Sequence, residues 1–360
     1  MQVGRPRYPA HRRHPPIRSL VALTLASACA GSPGGCAETP ALLPELGACD
    51  IYDVPAITGL DALKAVDDEL DAVVRLRMGV ARPHRPLGHV FSPDVVHPGG
   101  GPADWSLPDH VVRTTGARGI RLFVTLNPST EVRDVDRPGI GAGAPREQVG
   151  AWRDFVRALV ERYDGDGVDD MPGLALPVAA WEVANEPFCS PGDGRCHVDY
   201  FELVRASYQA AKTADPGATV MVGGAAPLLH TDGNVYEPVA HLYRDFFARG
   251  GAAYTDALPF HVVVGSTEPP LEDVLAAWRD IAGDTPLWLT EIGLRDARGN
   301  HEISAVDAKA AGWMVDQLDL AFGAGVERVF LCKALGRLDD PPELVEALQA
   351  WADARARRPR

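Results

Sequence analysis

Two short motifs place a glutamate directly after an apolar run of residues. The first motif is Trp181–Pro187, which contains Asn185 and Glu186, and the second is Pro286–Gly293, which contains Glu291. Cleavage of a glycosidic bond needs two such carboxyl groups. One must be protonated to release the departing oxygen, and the other must be ionised to meet the anomeric carbon. The motifs therefore predict acid–base chemistry on a sugar, provided that the fold brings both glutamates to one pocket.

The elements around these motifs follow a repeating order of strand and helix. From residue 50 onward, short apolar runs alternate with amphipathic stretches. The predicted strands are Ile51–Ile57, Ala72–Met78, Ile120–Leu126, Val178–Val183, Thr219–Gly223, Pro259–Val264, Pro286–Thr290 and Arg328–Cys332. The predicted helices are Arg146–Tyr163, Tyr200–Thr213, Val235–Arg249, Leu271–Ile281, Ala305–Phe322 and Pro342–Ala354.

Strands that are apolar throughout and alternate with helices indicate a parallel sheet covered on both faces. Eight units predict an α/β fold of the closed (β/α)8 TIM barrel type, as one domain over residues 50–356. An open doubly wound sheet would need a Gly-x-Gly-x-x-Gly motif after its first strand, and the sequence has none. In a barrel the reacting groups lie at the carboxyl ends of the strands, where Glu186 and Glu291 are expected.

The two motifs resemble those of the clan A glycoside hydrolases, which are retaining enzymes built on (β/α)8 barrels. The closest style is that of family 39 and its cellulase-like relatives, and the resemblance covers about residues 50 to 340. Four further segments resemble the same clan: Val74–Arg77 its second-strand arginine region, Ala117–Leu122 the start of its third strand, Phe155–Tyr163 the helix before its fourth strand, and Asp256–His261 its sixth strand.

The resemblance implies a role for each matching residue. Glu186 would be the general acid/base and Glu291 the nucleophile. Asn185 would bind the 2-hydroxyl of the sugar, Arg75 would lie under Glu291 and favour its ionised form, and His261 would line the pocket. A retaining enzyme would hold the two carboxyl groups about 5–5.5 Å apart.

Two positions depart from the clan pattern. Val263 stands where the clan has an aromatic residue, often Tyr, two residues after the sixth-strand histidine. The end of the eighth strand, Phe330–Leu335, lacks the tryptophan that serves as a platform for the sugar ring. Trp105, Trp181 and Phe188 are candidates to replace that platform.

Three other polar features have a structural and a functional interpretation. Glu182 points into the fourth strand, and we expect it to pair inside the barrel with an arginine such as Arg75 or Arg77. Asn127 ends the third strand and is a candidate either to contact substrate or to cap a loop. The segment Asp164–Asp170 has oxygen ligands at spacings that suit calcium, but it lacks a full calcium loop, and we favour an exposed turn.

The first residues are expected to direct export. A basic stretch precedes the apolar run Ile17–Ala28, which is too short to span a membrane, so residues 1–28 are predicted to be a signal peptide. Leu25–Cys29 also resembles a bacterial lipoprotein signal, in which Cys29 would carry lipid. Residues 29–49 would then form a flexible tether. Both readings, simple secretion and lipid anchoring, place the protein in the periplasm, in the medium or on the cell envelope.

The six cysteines fit an exported protein. Cys189 and Cys196 flank a short loop that a disulfide could close, and Cys36 and Cys49 could form a second pair. Cys332 lies in an apolar run and is expected to be a buried free thiol. No Cys-x-x-Cys or His-x-x-x-His spacing is present, so no metal site and no cofactor are expected.

The charge of the chain limits its partners. The formal net charge is −14, and the first 28 residues hold five arginines and no acid, so the remainder carries −19. A surface this acidic repels phosphate backbones and anionic membranes. We therefore expect no nucleic acid partner and no membrane contact beyond a lipid on Cys29. The charge does not penalise a neutral substrate such as the oligosaccharide, polysaccharide or glycoside that the resemblance implies, and we expect the protein to be a monomer.

Three functions are consistent with these features. The first is an exported retaining glycoside hydrolase that uses Glu186 and Glu291. The second is a carbohydrate-binding barrel without turnover, which the missing Tyr and Trp would favour. The third is a transglycosidase, in which a sugar replaces water as the acceptor.

Overall fold

The computed structural model describes residues 42–51, 59–64, 67–83, 90–97, 100–127, 149–187, 200–225, 228–230, 232–264, 269–294, 308–332 and 342–357. These ranges belong to one unit, Ala41–Arg360. The predicted signal peptide 1–28, the lipid site Cys29 and the Cys189–Cys196 loop lie outside the described residues. None of the helices in these ranges combines the length and the apolar character that crossing a membrane requires.

Eight strands alternate with helices along the chain. The strands are β1 (Leu43–Ile51), β2 (Met78–Pro83), β3 (Arg121–Leu126), β4 (Ala180–Val183), β5 (Val220–Val222), β6 (Leu258–Val264), β7 (Leu287–Leu294) and β8 (Val326–Cys332). The helices are α1 (Leu60–Lys64), α2 (Glu69–Arg75), α3 (Pro93–Val96), α4 (Ser106–Gly116), α5 (Val149–Arg162), α6 (Tyr200–Ala214), α7 (Glu237–Ala248), α8 (Leu271–Ala282), α9 (Ala308–Gly323) and α10 (Pro342–Ala356).

All strand pairs are parallel, in the order β5-β4-β3-β2-β1-β8-β7-β6. The first and last strands of the chain are therefore neighbours. β5 and β6 stand at the two ends of this order and are joined by separate bonds. The Asp256 N–H donates to the Val220 carbonyl at 2.8 Å, and the His261 N–H donates to the Ala225 carbonyl at 3.0 Å. The result is a nearly closed (β/α)8 barrel, as the alternation of elements predicts.

Aromatic rings fill the barrel interior on the amino side of the predicted active site. Phe123 lies 5.9 Å from Trp288 and 5.3 Å from Phe330 between ring centroids. All three belong to the inner cluster of buried residues, whereas the larger cluster lies between the strands and the helices. A filled interior leaves the carboxyl edge as the place where polar groups can meet a ligand.

The first two strands differ from their predicted positions. β1 begins at Leu43, inside the stretch predicted to be a tether. The sequence does not predict this strand because it contains Pro44 and Gly47, which are uncommon in strands. Gly47 is required there, since a Cβ would overlap the Phe330 ring. Most of the predicted second strand, Ala72–Met78, is the helix α2 and the turn after it, whose buried residues follow a helical spacing.

One disulfide joins β1 to β8 among the described residues. Cys49 and Cys332 face each other directly in the parallel ladder, with their Cα atoms 4.6 Å apart. The prediction of a free thiol at Cys332 is therefore wrong, and so is the pairing of Cys49 with Cys36. The apolar run around Cys332 reflects its place in the barrel interior, which Cys49 shares.

Candidate active site

Glu186 and Glu291 meet at the carboxyl edge of the barrel. Glu186 follows β4 after two intervening residues, and Glu291 lies within β7. One oxygen of each carboxylate and one ring nitrogen of His261 lie within 4.8 Å of one another. The two side chains are 20% and 21% exposed, so both can reach a ligand at the edge while most of their surface is buried.

The chain leaves β4 through a turn that contains two left-handed residues, Ala184 (φ 61°) and Glu186 (φ 45°). Such a conformation costs a non-glycine residue roughly 1–3 kcal/mol and is concentrated at functional sites. The Ala184 N–H donates to the Leu126 carbonyl, and the Glu186 N–H donates to the Gly224 carbonyl, both at 2.9 Å. These bonds tie the turn to the neighbouring strand ends and fix the backbone of Glu186.

A buried tyrosine joins the ends of the same two strands. The Tyr200 hydroxyl donates to the Val183 carbonyl at 2.8 Å and accepts from the Gly223 N–H at 2.7 Å. Burial raises the pKa of Tyr200 above its ordinary value, so the hydroxyl keeps its proton. The turn that carries Glu186 therefore starts from a rigid base.

Arg82 is the arginine beside Glu291. Its Nη1 donates to Glu291 Oε1 at 2.7 Å, and its Nη2 donates to Asn185 Oδ1, also at 2.7 Å. Burial alone would lower the pKa of Arg82, but the charges of Glu182 and Glu291 raise it above its ordinary value. The guanidinium thus stays charged and links Asn185 to Glu291.

The prediction that Arg75 lies under Glu291 is wrong. Arg75 is an exposed residue at the end of α2, and its chain position precedes the amino end of β2. The error follows from the misplaced second strand. A sequence signal for Arg82 does exist, since it closes the apolar run Met78–Ala81 as Glu291 closes its own run.

His261 in β6 lies between the two glutamates. Its Nδ1 is 3.0 Å from Glu186 Oε1, a hydrogen-bond distance, and its Nε2 is 3.5 Å from Glu291 Oε1. Burial lowers the pKa of His261, but the charge of Glu291 and the hydrogen bond with Glu186 outweigh burial and the nearby charge of Arg82. The net effect raises the pKa above its ordinary value of 6.5. An imidazole placed in this way couples the two carboxylates electrostatically.

Glu182 is fully buried beneath this group. Its Oε2 accepts from Arg82 Nε at 3.1 Å, Arg82 Nη2 at 2.6 Å and Thr125 Oγ1 at 2.9 Å. Its Oε1 accepts from the Gly224 N–H at 2.8 Å. Glu182 pairs inside the barrel, as expected of it, but its partner is Arg82 rather than Arg75 or Arg77; Arg77 instead pairs with Asp353 at 2.6 Å.

The two described candidates for a sugar platform, Trp181 and Trp105, lie away from the two glutamates. Trp181 is buried within the cluster between the strands and the helices, so it does not line the pocket. Trp105 packs against Tyr163 and beneath Arg162 in the helical layer. Phe188 lies outside the described residues. Asn127 directly follows β3 and is half-buried, at the same edge of the barrel as Glu186.

Within the described part of the chain, two groups of carboxylate and imidazole side chains have the spacing of metal ligands. The first is Glu186, Glu291 and His261, where the Arg82 guanidinium also contacts Glu291. The second is Glu161 in the last turn of α5 with Asp164 and Asp166 in the loop that follows. In that loop the N–H groups of Gly165 and Gly167 donate to Asp170, the arrangement of an ordinary exposed turn.

The fold is similar to that of solved glycoside hydrolases. A family 39 glycoside hydrolase from Bacteroides cellulosilyticus WH2 superposes with a TM-score of 0.56 at 15% identity, over 87% of this chain and 65% of that one. A glucosidase from Croceicoccus marinus superposes with a TM-score of 0.58 at 16% identity, over 88% of this chain and 69% of that one. A psychrophilic family 10 endo-β-1,4-xylanase superposes with a TM-score of 0.54 at 16% identity, over 85% of this chain and 96% of that one.

This chain therefore spans just under two thirds of the family 39 structure and almost the whole of the xylanase. No protein-family model matches the sequence, and no curated protein matches it either. At these identities the similarity establishes the (β/α)8 barrel alone, and the chemistry depends on the residues of the site.

Proposed function

We propose that the protein is a retaining glycosidase, with Glu291 as the nucleophile and Glu186 as the general acid/base. The observation that carries this proposal is the convergence of Glu186, Glu291 and His261 within 4.8 Å at the carboxyl edge of the barrel. Short carboxyl separations suit retaining enzymes, because an inverting enzyme must leave room for water between the two groups.

In the first step, a Glu291 oxygen attacks the anomeric carbon while Glu186 protonates the departing oxygen. This forms a covalent glycosyl–enzyme ester and releases the aglycone. The contact of Arg82 with Glu291 favours the ionised form that this step needs. Asn185, which Arg82 holds through its side-chain oxygen, keeps its amide N–H groups available for a sugar hydroxyl.

In the second step, Glu186 is ionised and removes a proton from water as the water attacks the anomeric carbon. The ester breaks and Glu291 is restored with the original configuration at the sugar. His261 contacts Glu186 at 3.0 Å and can follow its change of charge between the two steps.

The first test is hydrolysis of aryl glycosides by the wild-type protein. Structural neighbours include a glucosidase and a xylanase, so aryl glucosides and xylosides of both anomers are the first substrates to try. Glu291→Ala should abolish turnover, and Glu202→Gln, at a half-buried residue of α6 that pairs with Arg205, is the control. Equal rates in wild type and Glu291→Ala would overturn the proposal.

Azide rescue separates the roles of the two glutamates. Azide should restore activity to Glu291→Gly by direct attack, giving a glycosyl azide of inverted configuration. With Glu186→Ala it should attack the covalent intermediate and give the retained product. The reverse pattern would exchange the two assignments.

A carbohydrate-binding barrel without turnover is the second candidate. The observation that favours it is the end of β8, where the inward-facing residue is the disulfide-bonded Cys332 rather than a tryptophan. Glycan-array binding by a wild-type protein that hydrolyses none of the arrayed sugars would support it. A transglycosidase would instead form longer products at high acceptor concentration.

We also propose export to an oxidising compartment, since the Cys49–Cys332 disulfide would be short-lived in a reducing cytosol. Palmitate labelling of a bacterial host that expresses wild type or Cys29→Ala distinguishes the two forms of export. Label on the wild type alone would indicate a lipoprotein, and unlabelled protein in the medium or periplasm would indicate simple secretion.

A further inference from the structure

We propose that Glu182 is a positioning residue for the nucleophile, which orients the Arg82 guanidinium and offsets its charge beside Glu291. The proposal rests on the proposed function, because it assigns Glu291 as the nucleophile. It concerns a side chain that no sugar touches, since Glu182 is fully buried below the site.

Glu182 connects four strands through four hydrogen bonds. Glu182 lies in β4 and accepts two hydrogen bonds from the Arg82 guanidinium of β2. It also accepts one from the Thr125 hydroxyl of β3 and one from the backbone N–H of Gly224, just beyond β5. Both carboxylate oxygens are therefore held, and the group has no freedom to rotate. A buried carboxylate with this many donors is a fixed reference point for the residues around it.

That fixed point sets the direction of the guanidinium. Glu182 takes Nε and Nη2 of Arg82, which leaves Nη1 to point at Glu291 Oε1 at 2.7 Å. Without Glu182, the planar fork of Arg82 could turn and make a two-pronged pair with Glu291. Such a pair would hold the ionised Glu291 too firmly for it to attack carbon efficiently.

Glu182 also alters the electrostatic balance at the nucleophile. Arg82 and Glu182 are both 0% exposed, and charges excluded from water act strongly on their neighbours. Arg82 alone would present a full positive charge to Glu291. With Glu182 at 2.6 Å from Nη2, much of that charge is balanced, and Glu291 keeps the basicity of a useful nucleophile.

Glu182→Gln tests the proposal, because it preserves size and removes the charge. Asp109→Asn is the matched control. Asp109 accepts hydrogen bonds from Arg162 Nε at 2.8 Å and Nη2 at 2.7 Å. The Asp109→Asn variant therefore weakens a similar two-donor ion pair, but one in the helical layer away from the site. Thermal unfolding of both variants shows how much stability each pair contributes.

The first readout is the pH profile of kcat/KM with an aryl glycoside. We expect Glu182→Gln to move the acidic limb to lower pH and to reduce kcat by roughly 10²-fold. Asp109→Asn should keep the wild-type limb even where it lowers the melting temperature. A folded Glu182→Gln protein with the wild-type acidic limb and kcat would overturn the proposal.

The second readout does not require activity. With ¹³C-labelled glutamate, the Glu291 carboxyl should titrate at lower pH in Glu182→Gln than in the wild type. If the wild type hydrolyses no glycoside, the proposed function fails, whereas this titration still decides the role of Glu182. An unchanged Glu291 titration in an active enzyme would overturn the inference alone.

Thr125→Val covers the case in which Glu182→Gln does not fold. It removes one donor to Glu182 and keeps the charge. We expect a several-fold loss of kcat with little change in KM and with the wild-type acidic limb. An unchanged kcat in this variant would show that the orientation of Glu182 does not matter to the nucleophile.

Discussion

Arg82 and His261 are the two residues that give Glu186 and Glu291 different neighbours. Arg82 gives Glu291 a fixed cationic partner, and His261 gives Glu186 a partner that can change its charge. The two carboxylates therefore have different surroundings, which is the arrangement that lets one act as an acid and the other as a nucleophile.

Replacing Arg82 by lysine tests the importance of the guanidinium fork. Lysine keeps the charge but cannot contact Glu182, Asn185 and Glu291 together, so we expect kcat to fall by roughly 10²-fold. The incomplete pairing of buried Glu182 should also destabilise the fold by about 3–5 kcal/mol. Aryl glycoside kinetics and thermal unfolding measure both effects.

Arg75→Lys is the control for that variant, because Arg75 has the same chemistry and lies on α2 outside the site. It should retain the wild-type rate and melting temperature. Loss of activity in Arg75→Lys together with an active Arg82→Lys would restore the original assignment of the arginine.

His261 predicts a pH dependence of stability. Its pKa is raised in the folded protein, so its ion pairs contribute fully below pH 6.5, the ordinary value. The contribution is lost as the pH rises through the raised pKa. The melting temperature of the wild type should therefore fall more steeply with rising pH than that of His261→Asn, and parallel curves for the two proteins would contradict this.

At the scale of elements, the sequence predicts β3 to β8 well and β1 and β2 poorly. The later strands are apolar runs bounded by turn residues, and the helices α5 to α8 each bury one apolar face. β1 contains Pro44 and Gly47, and its fit depends on the distant Phe330, which no local pattern reveals. The adjacent valines Val73 and Val74 suggest a strand, but packing makes them part of a helix.

The same contrast applies to the site. Glu186, Glu291, Asn185 and His261 carry a local motif and can be recognised from sequence. The partner of Glu291 depended on the register of β2, and a shift of a few residues exchanged Arg75 for Arg82. The disulfide depended on which strands are neighbours, and that is a property of barrel closure.

The segment after β5 must approach His261 closely, which explains Gly224. A Cβ at Gly224 would lie 2.6 Å from His261 Nε2 and 3.0 Å from Thr290 Oγ1. Gly224→Ala should displace the imidazole, reduce kcat and destabilise the fold by about 1–3 kcal/mol. Gly312→Ala in α9, where the added methyl meets no atom within 4 Å, should be neutral or stabilise by up to about 1 kcal/mol. Equal behaviour of the two variants in kinetics and unfolding would contradict this role.

For the molecule as a whole, the barrel is closed differently at two places, between β1 and β8 and between β5 and β6. β1 and β8 share a ladder and a disulfide, whereas β5 and β6 share separate hydrogen bonds. The contact between β1 and β8 joins the first and last strands of the chain. Because Cys49 also pairs in register with Arg82, the covalent link lies in the layer of the barrel that carries the site.

The disulfide should be a major source of global stability. It joins residues 283 positions apart, and closing so long a loop restricts the unfolded chain by about 2–5 kcal/mol. The double variant Cys49→Ala/Cys332→Ala should therefore melt well below the wild type, at a temperature that a reductant does not change. Cys36→Ala should keep the wild-type melting temperature, because Cys49 bonds to Cys332. A stable double variant would show that this disulfide contributes little to the free energy of unfolding, and a destabilised Cys36→Ala would show that Cys49 pairs with Cys36 in solution.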